Sequence, residues 1–241
     1  LSAMMEYPLL AEPGPTSAAI PEGYEKAFPA LKVARIRRGS ASATVILAGN
    51  SRFFTLRNAQ AVITAVRMAA AFFGKGQFVP FTGEKSGSRY VLKQRLSAPY
   101  YQPLDPPQPV HPEDWAHWRP LRRQSEICWL DYQAAIEEIA SGFHLELRAE
   151  GAAGVPLAIE INLGGSGSLS GCAPAPAGHG SFLLEDEFAT YREGNDAIRF
   201  GPRRREHAYT QVRGAEPKLP GRSVYLTAYT PLNHIIRFQW A

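Results

Sequence analysis

Sulfur is scarce in this chain. Cys128 and Cys172 are its only cysteines, and no CxxC or Cys/His spacing accompanies them, which excludes the zinc and redox motifs that a sequence can reveal. Two small buried thiols are one reading; a bridge between them is the other, if the protein is exported. No apolar run reaches the roughly 20 residues of a membrane-spanning helix. Leu1–Glu12 lacks the basic start and apolar core of a signal peptide. The chain opens on Leu rather than Met, as expected of a processed product or a piece cut from a longer protein. Excess charge is small too: 26 basic against 22 acidic side chains, net +4. That balance argues against a nucleic-acid partner and is compatible with an acidic one, such as a uronate-containing glycan.

Proline, by contrast, is abundant and placed. Pro8, Pro13, Pro15, Pro21 and Pro29 make residues 1–29 an extended lead-in rather than a helix or central strand. The remaining residues 30–241 read as one domain, and a core of that size needs no staples. A second proline cluster, from Pro99 to Pro112, predicts a stiff surface connection.

Short strands are expected at 31–38, 42–47, 52–57, 77–82 and 88–96. Two helices are expected. In 59–73, Val62, Val66, Ala69 and Phe73 recur at helical spacing, with Asn58 as N-cap and Gly74 as stop. In 131–140, Tyr132, Ala135, Ile136 and Ile139 share a stripe that ends at Gly142. The strongest pattern follows. Phe143, Leu145 and Leu147 alternate with His144, Glu146 and Arg148, and Leu157, Ile159, Ile161 and Leu163 alternate with Ala158, Glu160 and Asn162. Two-residue alternation predicts antiparallel strands with one wet and one buried face. Further strands at 181–184, 188–192, 197–200, 223–230 and 234–240 make the fold mainly β, a large antiparallel two-sheet sandwich with two short helices.

Few residues point to chemistry. Gly164-Gly165-Ser166-Gly167-Ser168 follows a strand but lacks the Lys and Ser/Thr of a phosphate-binding loop. The six histidines are dispersed, so no metal site and no cofactor is expected. His144 and Glu146 share a strand face and are the candidates for a base with its orienting carboxylate. Arg203, Arg204 and Arg205, with Arg199, Arg213 and Arg222, are candidates for a basic rim that grips carboxylates or sulfates. Tyr100, Tyr101, Trp115 and Trp118 are candidates for a sugar-stacking platform.

Gly49-Asn50-Ser51-Arg52-Phe53-Phe54, Phe72-Phe73-Gly74-Lys75-Gly76 with the long β region after it, and Glu193–Phe200 resemble the β-sandwich part of heparinase II/III-type polysaccharide lyases. The resemblance implies a supersandwich of mutarotase-like type, a periplasmic or secreted location and an N-terminal α/α-toroid as neighbour. In such lyases a uronate carboxylate is neutralised and a Tyr or His removes the adjacent proton. These residues contain no helical array of toroid length, and no catalytic motif of the family can be placed on them. The implied role is therefore a non-catalytic or accessory domain that supports a neighbouring domain or binds an acidic polysaccharide. The alternatives are a stand-alone lyase or mutarotase-like epimerase, and a structural interaction module.

Overall fold

The computed structural model describes residues 21–240. The chain begins with β1 (Gly23–Phe28), β2 (Val33–Arg38), β3 (Ala41–Ile46), β4 (Phe54–Asn58) and β5 (Ala61–Ala70). Next come β6 (Thr82–Ser86), β7 (Arg89–Tyr101), a one-turn helix α1 (Trp115–Trp118) and β8 (Gln124–Ile139). β9 (Gly142–Gly151), β10 (Pro156–Leu163), β11 (Ser168–Ser170), β12 (Cys172–Pro174) and β13 (Ser181–Leu184) follow. The last are β14 (Ala189–Glu193), β15 (Asp196–Gly201), β16 (Arg222–Tyr229) and β17 (Leu232–Trp240).

These strands form two sheets packed as a sandwich. One has nine strands in the order β1-β2-β3-β4-β5-β10-β16-β13-β12, and the other has eight in the order β11-β14-β15-β17-β9-β8-β7-β6. Among the described strands every pairing is antiparallel except β13 with β16. Aromatic rings fill the space between the sheets. Phe54 of β4 meets Phe143 of β9 and Phe238 of β17, with ring centroids 5.4 and 5.7 Å apart. Phe78 bridges Phe53 and Tyr132 at 5.2 and 5.4 Å. Of the expected lead-in, residues 1–20 lie outside the described residues. Gly23–Phe28 pairs with β2 as an edge strand. Glu25 ties that edge to the other sheet, accepting from the Tyr90 hydroxyl and pairing with Lys85 at 2.8 Å.

Both expected helices are strands. Residues 59–73 contain β5, and Ala59 and Gln60 form the two-residue turn between β4 and β5, with Ala59 at φ 44°. The helical spacing there is a by-product of burial. From Ala65 to Ala70 every β5 residue is buried on either face, so two-residue alternation vanishes. The β-branched Val62, Ile63, Thr64 and Val66 favour the strand. Residues 131–140 fall almost wholly in β8, whose Tyr132, Ala134 and Ile136 point to the core at strand spacing. The described helical structure is instead α1 and short 3-10 turns. No helix among the described residues is long and apolar enough to cross a membrane.

β9 has the expected wet face, whereas β10 does not. All residues from Leu157 to Leu163 are buried, because the connection 202–220 lies over the outer side of the nine-stranded sheet. Under it, the Arg67 and Glu160 side chains form a salt bridge with 5% and 7% of their surface exposed. Arg67 Nη1 also donates to Glu216 Oε2 at 3.1 Å, and Nη2 donates to the Pro217 carbonyl at 2.9 Å. Glu160 Oε1 accepts from Ser223 Oγ at 2.7 Å and from the Leu219 N–H at 3.2 Å. The network fastens the connection to the sheet and satisfies polar groups that burial would otherwise penalise.

Candidate functional site

β7 and β8 are the longest pair in the fold. β9 accompanies β8 only from Ile139 to Leu130, where its partner is Gly151. Beyond that point Ser97–Tyr101 and Gln124–Trp129 continue as a two-stranded arm. The chain between the two strands carries the expected proline-rich connection and then α1, which a 3-10 turn over Arg119–Leu121 extends. Trp115, Arg119 and Arg122 therefore follow one another at i, i+4 and i+7, on one side of the turn.

The arm, this turn and the loop after β5 enclose a cleft of about 650 Å³. That loop turns at Phe73 and Gly74, both with positive φ, and closes with Lys75 N–H donating to the Phe72 carbonyl at 2.9 Å. Gly76 must be glycine: a Cβ there would stand 1.8 Å from the Ala70 carbonyl oxygen. Its own carbonyl accepts from the Tyr132 hydroxyl at 2.7 Å, so the cleft wall is pinned to the core. Phe73, Tyr100, Tyr101 and Trp115 supply aromatic surface to the cleft, and Lys75, Arg119, Arg122 and Arg213 supply positive charge. No carboxylate is among the described residues that line it. None of the four cations forms a salt bridge among the described residues.

Arg122 is held by contacts on several sides. Its guanidinium carbon sits 4.6 Å from the Tyr101 ring centroid and 4.9 Å from that of Trp115. Its Nε donates to the Arg119 carbonyl at 3.3 Å. Contact with two rings restrains the guanidinium, a group whose in-plane N–H donors suit an oxyanion bound by two parallel hydrogen bonds.

The other candidates are placed differently. Of the expected platform, Tyr100, Tyr101 and Trp115 line the cleft, whereas Trp118 packs against His117 at 5.3 Å, outside the lining. The expected basic rim disperses. Arg203 Nη1 donates to the Glu185 carbonyl at 2.6 Å, Arg205 pairs with the Glu185 carboxylate, and Arg204 Nε donates to Glu206 at 2.6 Å. Arg199 lies over Phe188, with 3.9 Å between guanidinium carbon and ring centroid, and only Arg213 of that group reaches the cleft. On β9, Glu146 accepts from Arg89 at 3.2 Å and from Arg148 Nε at 2.9 Å. His144 lies between Glu137 and Arg237 on the neighbouring strands, and no hydrogen bond joins it to Glu146 among the described residues. Cys128 and Cys172 are both free thiols, and burial pushes Cys172 up to about 12, with Asp186 adding to the rise. No group of three or more His, Cys, Asp or Glu that could hold a metal occurs among the described residues.

The glycine-rich loop holds an anion of its own chain. The Gly167 N–H donates to Glu193 Oε2 at 2.7 Å, the Tyr191 hydroxyl donates to the same oxygen at 2.5 Å, and Arg222 donates to the Gly165 and Gly167 carbonyls at 3.0 and 2.6 Å. A Cβ at Gly167 would meet the Arg192 carbonyl oxygen at 2.0 Å. The hydrogen bond from Tyr191, followed by that from Gly167, holds Glu193 below the usual carboxylate range. Burial first, then the bond to Glu193, pushes Tyr191 up to about 12. A carboxylate lowered in the folded state stabilises above its unfolded pKa of about 4.3, and this is lost as pH falls through the folded value. The wild type is therefore expected to lose more stability than Glu193→Gln between pH 6 and pH 3. Urea midpoints at the two pH values measure this, and equal losses would show that the loop does not hold the carboxylate.

No family model, curated protein or solved structure matches this chain.

Proposed function

We propose that this sandwich domain binds an acidic carbohydrate chain in the cleft between its arm, the α1 turn and the loop at Phe73–Lys75. One observation carries the reading: four cations with no carboxylate partner among the described residues surround a space walled by aromatic rings. Such a site attracts anions at long range, and its rings cover the apolar faces of sugars. The Arg122 edge then reads a carboxylate or sulfate group. The domain's role is recognition, as an accessory part of a carbohydrate-processing protein.

Arg122→Ala tests this by calorimetric titration with a uronate oligosaccharide. A hydrogen bond to a charged group contributes about 1.5–3 kcal/mol, so affinity is expected to fall roughly 10- to 100-fold. Arg122→Lys keeps the charge and loses the planar fork, and should recover only a minor part of that loss. Added salt should weaken the wild type more than Arg122→Ala. An affinity unchanged by Arg122→Ala, or turnover of the polymer by the wild type, would defeat the proposal.

A further inference from the structure

A second hollow lies farther along β7 and β8 from the cleft. Along the arm, Arg95 lies opposite Asp131, Ser97 opposite Trp129 and Pro99 opposite Ile127. Residues two apart on a strand share a face, so these six form one row on the outer side of the eight-stranded sheet. Pro99, at one end, lines the cleft. Arg95 and Asp131, at the other, line a hollow of about 370 Å³. Its floor is built from Lys93, Gln133, Arg148 and Glu150. Phe81, with 81% of its surface exposed, stands at its side. Between the two hollows Trp129 and Ile127 are 44% and 57% exposed, and Arg95 lies over the Trp129 ring at 4.3 Å.

The hollows differ in chemistry. Among the described residues, the charged groups that line the cleft are all cations. The second hollow is lined by Lys93, Arg95, Arg148, Asp131 and Glu150 with the Gln133 amide among them, and its charges are largely internally balanced: Arg95 pairs with Asp131 at 3.5 Å and Arg148 with Glu146. Donors and acceptors in near balance suit hydroxyl groups better than a net anion, since each hydroxyl both gives and accepts a hydrogen bond. The exposed apolar path between them is of the kind that marks ligand surfaces. From Arg95 to Tyr101 is six residues of strand, roughly 20 Å at about 3.3 Å per residue, which is longer than a disaccharide reaches.

We infer that the ligand is a polymer lying along the arm, with acidic units in the cleft and an uncharged, hydroxyl-rich stretch of the same chain in the hollow beside Phe81. The inference rests on the cleft being an acidic-carbohydrate site. It adds that the site reads chain length and that Phe81, Lys93 and Gln133 contribute to it. Filling a second subsite within one chain raises affinity by effective concentration, without any new contact in the first.

Calorimetry with oligosaccharides that join a uronate block to a neutral sugar block of increasing length, from disaccharide to dodecasaccharide overall, tests this. The wild type is expected to bind the long chains at least tenfold more tightly than the short ones, and Phe81→Ser combined with Gln133→Ala should bring that ratio close to one. Both side chains are at the surface, so an unchanged thermal midpoint will show that the variant folds. Short oligosaccharides that bind through Arg122 without any gain from length would overturn the inference and leave the cleft reading standing. A gain from length that survives in the double variant would overturn it too. Failure of short and long chains alike to bind would overturn both.

Discussion

Replacing Glu160 with alanine is expected to destabilise the domain by about 3–5 kcal/mol, because the change strands a charge where water cannot reach it. Arg67 and Glu160 face each other beneath the connection 202–220, almost wholly buried. Glu160 takes hydrogen bonds from Arg67, Ser223 and Leu219. Without it, the partners left to the Arg67 guanidinium among the described residues are Glu216 and the Pro217 carbonyl, and both belong to the connection that the network secures. Urea denaturation should therefore show a large drop in midpoint for Glu160→Ala. The double variant Arg67→Met/Glu160→Leu distinguishes a lost ion pair from an orphaned charge. Replacing both charges with apolar groups of similar size is often neutral or stabilising, so the double variant should recover most of the loss. A double variant as unstable as Glu160→Ala would mean that the hydrogen bonds to Ser223 and Leu219, not the charge pair, hold this layer together.

Phe54→Ala should cost a similar amount, about 3–5 kcal/mol, for an apolar reason. Phe54 is fully buried and reaches across the sandwich to Phe143 and Phe238. Those two rings belong to paired neighbouring strands of the opposite sheet, Phe143 of β9 facing Phe238 of β17, so one truncation opens a cavity at the point where three strands meet. Phe54→Leu retains most of the volume and should lose much less. Thermal and urea unfolding of the pair measure the difference. Equal losses for leucine and alanine would show that ring geometry, rather than filled volume, sets the stability there.

The β9 region shows how much of this fold the amino-acid order discloses. Phe143, Leu145 and Leu147 face the core and His144, Glu146 and Arg148 face water, so the two-residue period could be read directly. β5 was illegible for the opposite reason. A strand with apolar residues on both faces has no period of its own, and Val62, Val66, Ala69 and Phe73 happen to fit a helical one. In β10 the alternation was present, but its meaning was not: Glu160 and Asn162 look like a wet face until the connection 202–220 covers them. The candidate site divides in the same way. Tyr100, Tyr101 and Trp115 were visible as aromatic residues near a proline-rich stretch, and the i, i+4, i+7 spacing of Trp115, Arg119 and Arg122 was available though unread. Phe73, Lys75 and Arg213 carried no such signal, because they come from distant parts of the chain. Arg203–Arg205 misled because a run of like charges shows nothing about the carboxylates that fold against it.

By itself, then, the sequence determined the class of the fold, the strand content of the second half and the presence of a group of aromatic side chains near residues 100–118. These are local properties, set by the backbone's period and by which side chains seek water. Only the tertiary structure decided which arginines are neutralised by a carboxylate and which are left open in a cleft. That outcome depends on contacts between residues far apart in the chain, and charge pairing is a matter of distance in space rather than order in sequence.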